Sequence, residues 1–305
     1  MKTLTSALLV AACLVSVAAV GTSESSLFSP WSEPVNLGPL VNSPDDENTA
    51  CPSRDGLSLF FMSLRPGPFG TAGDLYVSQR PTTADPWGAP INLGANINTD
   101  NTEYWPTLSP DGHRLYFGRF LNHNGKINYD LYVSRRHDKS DALGWEPAVP
   151  VAELNTLDFN DVALGFFQDD MTGRLMAYFT SNRLGTADLF MTWLQDDDTF
   201  APPLPVTELN TSLNERLETI RRDGLEVFFN RGPGPSGPLG SIWTATRSST
   251  AEPWSAPVIV PAPINAAVDY SPRLSFDGTE LYFASNRGSG QFDIWVSKRT
   301  RLTGK

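Results

Sequence analysis

The sequence predicts an all-β fold built from five similar units, and three observations support this prediction. One aromatic position recurs every 54 to 58 residues, at Trp31, Trp87, Trp145, Phe200 and Trp254. One asparagine position keeps the same period, at Asn42, Asn98, Asn155, Asn210 and Asn265. The 24 Gly and 25 Pro residues are spread along the chain, as expected where many short strands need many turns. Because two independent markers share one period, the chain is expected to be a repeat protein.

Each unit contains four short apolar runs separated by turn residues. Leu115 and Phe117 alternate with Tyr116 in the second unit, which is the strand period of two. Asp-Gly pairs supply the positive φ that tight hairpins need, and they occur at Asp55-Gly56, Asp111-Gly112, Asp223-Gly224 and Asp277-Gly278. Four strands in each of five units predict a single five-bladed β-propeller of four-stranded antiparallel blades.

The ends of the repeat region predict how the ring closes. The Trp31 strand precedes the first hairpin, and the fifth unit ends after IWVSKR without a Trp-led strand of its own. The N-terminal strand is therefore expected to join the last blade, which leaves no open sheet edge. The propeller is predicted to span residues 31–301, after a short N-terminal extension over residues 22–30.

Residues 1–21 have the pattern of a secretory signal peptide. Lys2 is followed by an apolar segment from Leu8 to Val20, and small residues end it at Ala19-Val20-Gly21. An alternative is a lipid anchor, because Val10-Ala11-Ala12-Cys13 is similar to a bacterial lipobox. No later segment has the roughly 20 apolar residues that cross a bilayer. We expect a secreted or periplasmic protein with no transmembrane span.

Composition limits the partners. The chain has 23 Lys and Arg against 34 Asp and Glu, a formal charge of −11, which argues against nucleic-acid binding.

Cys51 has no partner for an internal disulfide once Cys13 is removed. His113, His123 and His137 do not have zinc-ligand spacing. We therefore expect a monomer without metal or cofactor, whose partner is a protein or an oligosaccharide.

Two segments carry a family resemblance, SPDGHRLYFGRF with NYDLYVSRR and SFDGTELYFASNRGSGQFDIWVSKR. They resemble the WD40-like PD40 repeats of TolB-type bacterial propellers, and the resemblance covers about residues 31–301. It implies a β-propeller that usually serves as a protein-binding scaffold and is sometimes a domain of hydrolases. The chain departs from TolB by having five repeats instead of six and no separate N-terminal α/β domain, so the role of TolB is not implied.

One recurring arginine is expected to be structural, because features present in every blade usually serve the fold. It occurs at Arg65, Arg119, Arg183, Arg231 and Arg287. We expect it to fasten the hairpin through a carboxylate or a backbone carbonyl.

A recurring carboxylate lies eight residues before each Asp-Gly turn, with an equivalent in the irregular third unit. The set is Glu47, Glu103, Asp161, Glu215 and Asp269. Such carboxylates around one channel mouth could bind a cation, act as general acid and base, or cap turns. Their recurrence favours capping. Five-bladed glycosidases nevertheless place catalytic carboxylates at such a mouth, so a glycan hydrolase or lyase is the alternative function.

Four residues break the repeat symmetry beside these carboxylates, and we predict that they bind a ligand. They are Tyr104, Trp105, Arg216 and Tyr270. Aromatic rings can stack on sugars or anchor a peptide. Packing between blades is the alternative for Trp105. The preferred function is thus an exported binding or scaffold module with its site at the channel mouth.

Overall fold

The computed structural model describes residues 27–69, 73–123, 126–233, 241–288 and 290–302. The predicted signal peptide and the alternative anchor at Cys13 lie outside the described residues. Regular structure in the described ranges is β-strand, and no helix there could cross a membrane. The strands are β1 (Val35–Asn36), β2 (Glu47–Pro52), β3 (Ser58–Ser63), β4 (Asp74–Gln79), β5 (Ile91–Asn92), β6 (Glu103–Leu108), β7 (Arg114–His123), β8 (Lys126–Arg135), β9 (Val149–Pro150), β10 (Asp161–Gln168), β11 (Leu175–Ser181), β12 (Asp188–Trp193), β13 (Leu204–Pro205), β14 (Asn214–Ile220), β15 (Glu226–Gly232), β16 (Ile242–Thr246), β17 (Val258–Ile259), β18 (Asp269–Leu274), β19 (Glu280–Ser285) and β20 (Asp293–Lys298).

These strands form five four-stranded antiparallel sheets, which are the blades of a propeller. Blades 1 to 4 are β2–β5, β6–β9, β10–β13 and β14–β17, and blade 5 combines β18, β19 and β20 with β1. The prediction of an all-β, five-bladed propeller is confirmed.

The first strand of each blade lies at the centre of the ring, and we call β2, β6, β10, β14 and β18 the inner strands. Each inner strand contacts the inner strands of both neighbouring blades, so together they surround a central channel. Successive blades pack face to face through apolar side chains. Phe60 and Met62 of blade 1, for example, share a buried cluster with Leu115 and Phe117 of blade 2.

The N-terminal strand closes the ring as predicted. Val35 and Asn36 of β1 pair with Val296 and Trp295 of β20. The Arg299 guanidinium also lies over the Trp31 ring, 4.3 Å from its centroid. The outer edge of β20 is therefore covered by the beginning of the chain.

The recurring asparagine has a clear structural cause. Asn98 Oδ1 accepts the backbone N–H of Leu75 at 2.9 Å, and its Nδ2 donates to the Leu75 carbonyl, also at 2.9 Å. The side-chain amide thus completes the hydrogen bonds of one residue on the third strand of a blade. The other four asparagines do the same, in the pairs Asn42 with Ile294, Asn155 with Leu131, Asn210 with Leu189 and Asn265 with Ile242.

Turns and bulges complete the repeat. The glycines of the four Asp-Gly turns have φ between 70° and 77°, as predicted. Four inner strands carry a β-bulge in which the second residue after the recurring carboxylate has positive φ; these residues are Thr49, Trp105, Ala163 and Ser271. In β14 the register shifts one residue later, between Leu217 and Thr219, so Glu218 is the extra residue.

Candidate binding site at the channel mouth

The five recurring carboxylates begin the inner strands, but their side chains are turned into the protein. Glu103 is fully buried and accepts hydrogen bonds from the Thr99 backbone N–H at 3.2 Å and the Thr99 hydroxyl at 2.7 Å. Glu47, Asp161 and Glu215 hold Ser43, Thr156 and Thr211 in the same way, and Asp269 accepts the Ala267 N–H. Each carboxylate therefore caps the turn that leads into its own strand.

Each of these carboxylates also forms an ion pair with the recurring arginine. Arg119 Nε lies 2.9 Å from Glu103 Oε1, and Arg119 Nη2 donates to the Ile97 carbonyl at 2.7 Å. The other pairs are Arg65 with Glu47 at 3.1 Å, Arg183 with Asp161 at 2.6 Å, Arg231 with Glu215 at 2.8 Å and Arg287 with Asp269 at 2.8 Å. The expected arginine staple is present, and its carboxylate partner lies on the inner strand.

This arrangement favours the capping interpretation of the five carboxylates. Each one stays with the arginine and turn of its own blade, so the structure does not gather the five into one cluster. Burial raises the pKa of Glu103, although Thr99 and Arg119 act in the opposite direction. Since its side chain has no exposed surface, that shift does not create an acid that substrate could reach.

The four predicted ligand-binding residues do come together. Tyr104, Trp105, Arg216 and Tyr270 line one cavity of about 350 Å³, which we call the upper cavity. Its residues come from the first halves of the inner strands, from Tyr129 on β8 and Thr180 on β11, and from neighbouring loops, so the cavity lies at one mouth of the channel. Binding clefts are usually concave and partly apolar, with a few converging polar groups. The upper cavity has this composition.

Aromatic rings form one side of the upper cavity. The Trp105 ring lies 5.1 Å from the Tyr104 ring and 5.5 Å from the Tyr129 ring, measured between centroids. Trp105 therefore lines the cavity, packed against two tyrosines of its own blade. Burial raises the pKa of Tyr104 to about 12 and also raises that of Tyr129, so both hydroxyls keep their protons at neutral pH.

Asparagine side chains form the other side. Asn160, Asn182 and Asn214 line the cavity, and each Oδ1 accepts a backbone N–H, from Tyr129, Asn160 and Ala187 respectively. Because these N–H donors fix which end of each amide is the oxygen, the amide nitrogens are directed elsewhere. Among the described residues these three Nδ2 groups have no hydrogen-bond partner, so they are available to a ligand. These asparagines and Tyr129 were not predicted from the sequence.

Arg216 supplies the positive charge of the cavity. Its guanidinium lies 6.0 Å from the centroid of the Trp105 ring. No aspartate or glutamate is among the described residues that line the cavity. In the described part of the chain, no group of three or more His, Cys, Asp or Glu side chains could hold a metal ion. The upper cavity is thus polar, aromatic and locally cationic.

Two buried ionisable residues, Glu218 and Arg273, lie deeper in the channel, and no role was predicted for either from the sequence. Burial raises the pKa of Glu218 to about 7, against the opposing effects of Arg273 and Arg216. Comparison of the five units does contain a signal for both residues. The position of Glu218 is Ala50, Pro106, Leu164 or Pro272 in the other units, and that of Arg273 is Cys51, Thr107, Gly165 or Thr219.

Comparisons with known proteins support the fold. No protein-family model matches the chain, and no curated protein matches its sequence. Among solved structures, α-L-arabinofuranosidase from Lactobacillus brevis is 13% identical with a TM-score of 0.62, covering 86% of this chain and 92% of that chain. Endo-arabinase from Bacteroides thetaiotaomicron is 14% identical with a TM-score of 0.55, covering 86% and 96%.

TolB from Acinetobacter baumannii is a further structural match, at 14% identity and a TM-score of 0.49. The match covers 85% of this chain but only 56% of the TolB chain. At such identities the similarities show the fold alone. The chain is a five-bladed β-propeller, and the described lining of its upper cavity combines aromatic rings, unpaired amide donors and one arginine.

Proposed function

We propose that this protein binds a glycan in the upper cavity. One observation carries the proposal: the rings of Tyr104, Trp105 and Tyr129 share the cavity with three asparagines whose amide nitrogens have no partner in the described ranges. The C–H face of a sugar ring packs against aromatic rings, and its hydroxyl groups accept hydrogen bonds from amides. Arg216 adds a charged donor for a ring oxygen, a hydroxyl or an acidic substituent.

The asparagines provide a matched test of this proposal. Asn182 and Asn286 have the same structural role. Each Oδ1 accepts the backbone N–H of the residue just before an inner strand, Asn160 before β10 and Val268 before β18. Asn182 lines the cavity, whereas Asn286 is not among its described lining residues. The two alanine variants should therefore have similar melting temperatures but different ligand affinities.

The experiment is a glycan-array screen followed by calorimetry with the best oligosaccharide. We expect Asn182→Ala and Trp105→Ala to weaken binding at least tenfold and Asn286→Ala to leave it unchanged. Equal affinity in Asn182→Ala and Asn286→Ala would contradict the assignment of the cavity. Failure of the unsubstituted protein to bind any glycan would favour a protein partner, to be sought by crosslinking through a photoreactive residue at Trp105.

Glycoside hydrolysis is a second candidate function, and Glu218 is the observation that favours it. A carboxyl group with a pKa near 7 can act as a general acid at neutral pH. Hydrolysis usually needs a pair of carboxyl groups, one on each side of the glycosidic bond. The described lining of the upper cavity, however, contains no carboxyl group. New reducing ends that disappear in Glu218→Gln would establish hydrolysis, and binding without product would support the binding function.

We also propose that the protein is exported to the periplasm or the medium, acts as a monomer and is related to the PD40-type propellers. The support is the signal-peptide pattern of residues 1–21 and the repeated SPDG and LYF segments. Amino-terminal sequencing of the exported protein tests the first point, because cleavage after Gly21 and lipidation at Cys13 give different mature ends.

A further inference from the structure

A second cavity lies at the opposite mouth of the channel. It has a volume of about 230 Å³, and the later residues of the inner strands and the turns after them form it. We call it the lower cavity. Three arginines line it, Arg54, Arg222 and Arg273, and its described lining contains no aspartate or glutamate. This local positive charge contrasts with the formal charge of −11 for the whole chain.

Arg273 is the buried member of this group. Its side chain reaches across the channel from β18, and Nη1 lies 3.4 Å from the Leu164 carbonyl oxygen on β10. Only 3% of the residue is exposed. Its Nε and Nη2 atoms have no hydrogen-bond partner among the described residues. These two N–H groups lie on one edge of the guanidinium, which is the edge that binds both oxygens of a carboxylate in parallel.

Two ionisable side chains lie near Arg273. Arg273 forms no ion pair with a carboxylate of the described residues, although Glu218 on β14 and Cys51 on β2 lie close enough to influence its charge. The pKa of Glu218 is about 7 and burial raises the pKa of the Cys51 thiol, so neither group is fully ionised at neutral pH. A buried charge without a partner is costly, and a bound anion would remove that cost.

The remaining lining of the lower cavity is largely apolar. Phe166, Phe167 and Phe276 contribute aromatic rings. Arg54 and Arg222 both lie over the Phe276 ring, 4.4 and 4.8 Å from its centroid. Neither of these two exposed arginines forms an ion pair among the described residues, so both can add positive charge at the entrance.

Carboxylates do occur in the nearby hairpin turns, but those turns already use them. Asp55 accepts hydrogen bonds from the Ser53 hydroxyl and the Leu57 N–H. Asp277 accepts them from the Ser275 hydroxyl and from Thr279. The interior of the cavity, by contrast, offers the unpaired edge of Arg273.

We propose that the lower cavity binds the carboxylate of a small organic acid, with Arg273 holding the carboxylate and the phenylalanine rings holding an apolar body. A volume of about 230 Å³ suits a small molecule and not a polymer. This site is separate from the upper cavity and does not depend on the glycan proposal.

Benzoate is the probe for this site, and benzamide is its uncharged counterpart of the same shape. We expect saturable binding of benzoate to the unsubstituted protein by calorimetry or ligand-observed NMR, and at least tenfold weaker binding of benzamide. Arg273→Gln should weaken benzoate binding at least tenfold. Absence of benzoate binding, or equal binding of benzamide or inorganic phosphate, would overturn the proposal.

A second variant keeps the test valid if Arg273→Gln does not fold. Arg222→Glu changes an exposed residue at the cavity entrance and should weaken benzoate binding at least threefold. Arg174→Glu makes the same change of charge at an exposed residue that lies against Trp193 on the third strand of blade 3. Equal benzoate affinity in the two variants would contradict the site. Glycan binding in the upper cavity should be the same in both, which separates the two proposals.

Discussion

Arg119 Nε donates to Glu103 Oε1 across 2.9 Å, and the two residues face each other directly in the register of β6 and β7. Glu103 is fully buried, whereas 12% of the Arg119 side chain is exposed. The contact joins the inner strand to the second strand of the blade, and the Thr99 turn is attached to the same carboxylate. Its position in the sequence makes Glu103 a candidate catalytic residue. In the structure, however, its carboxylate is already hydrogen-bonded to Thr99 and Arg119, which serves the fold.

The first prediction follows from this pair. Glu103→Gln removes the negative charge and leaves the Arg119 guanidinium largely buried without its counterion. Breaking a buried ion pair on one side costs roughly 3–5 kcal/mol, and the remaining amide oxygen should keep the loss near about 3 kcal/mol. Urea unfolding measures this loss in the free energy of unfolding. Glu146→Gln, at a residue whose side chain is 49% exposed, is the control and should change stability little.

Activity assays on the same Glu103 variant separate capping from catalysis. The folded fraction of Glu103→Gln should bind glycan as the unsubstituted protein does. If the variant instead kept its stability and lost turnover of a glycan, Glu103 would be catalytic and the capping interpretation would be wrong.

The second prediction concerns the recurring asparagine. Asn98→Ala leaves the buried N–H of Leu75 without its partner, whereas the Leu75 carbonyl keeps its hydrogen bond from the Leu93 backbone N–H at 3.1 Å. A buried unsatisfied group costs roughly 1–3 kcal/mol, so we expect a loss of about 1–3 kcal/mol in the free energy of unfolding. Asn101→Ala is the control, because the Asn101 backbone N–H donates to the Thr99 hydroxyl while its side chain has no hydrogen bond to any described residue. Similar melting temperatures for the two variants would contradict the role given to Asn98.

The sequence was sufficient to predict the blade number and the ring closure because the same local interactions recur in every unit. Asn98 pairs with Leu75 in one blade as Asn210 pairs with Leu189 in another, so the marker and the structure share one period. Symmetry breaking likewise identified Tyr104, Trp105 and Arg216 as residues of one cavity.

The rest of the site depends on three-dimensional details that residue spacing does not contain. The positions of the five carboxylates were predicted, but their ion pairs depend on strand register and side-chain conformation. Asn182 lies on the loop after β11 in blade 3. It lines the upper cavity together with residues of blade 2, and residue spacing does not show that these two blades share a cavity. Glu218 is the extra residue of β14 because the bulge of that strand is one residue later than in the other inner strands, a shift that residue spacing does not reveal.

The third prediction tests the closure of the ring. Trp31 packs beneath Arg299 of blade 5 and edge-on to Phe228 of blade 4, with ring centroids 6.3 Å apart. Removing a buried tryptophan side chain costs roughly 3–5 kcal/mol, and Trp31 is half-buried, so we expect Trp31→Ala to lose about 2–3 kcal/mol.

Loss of β1 pairing in Trp31→Ala would also expose the edge of β20, which favours association of chains. Size-exclusion chromatography near the melting temperature should show larger species for Trp31→Ala than for Trp193→Ala. Trp193 is also half-buried beneath an arginine, but it lies on a strand that does not close the ring. Identical elution of both variants as monomers would count against a closing role for Trp31.

The fourth prediction is a pH dependence that Glu218 imposes on stability. In the folded protein its pKa is about 7, whereas in the unfolded chain it returns to its ordinary value of 4.5. Between these pH values the folded state binds more protons than the unfolded state, so stability falls as pH rises from 4.5 to 7. The shift corresponds to a loss of about 3 kcal/mol above pH 7. Arg216 on β14 and Arg273 on β18 also face this carboxyl, and their charges lower its pKa against the larger effect of burial.

Glu218→Gln removes that dependence while keeping the size of the side chain. The variant and the unsubstituted protein should be similarly stable at pH 4.5, and the variant should be more stable by about 3 kcal/mol at pH 8. Urea unfolding across this range measures the difference, and Glu153→Gln on the exposed surface should follow the unsubstituted protein at every pH. A constant difference between Glu218→Gln and the unsubstituted protein at all pH values would mean that Glu218 does not take up its proton on folding. The carboxylate would then be stabilised in its charged form by Arg216 and Arg273, and Arg273 would no longer need an external anion.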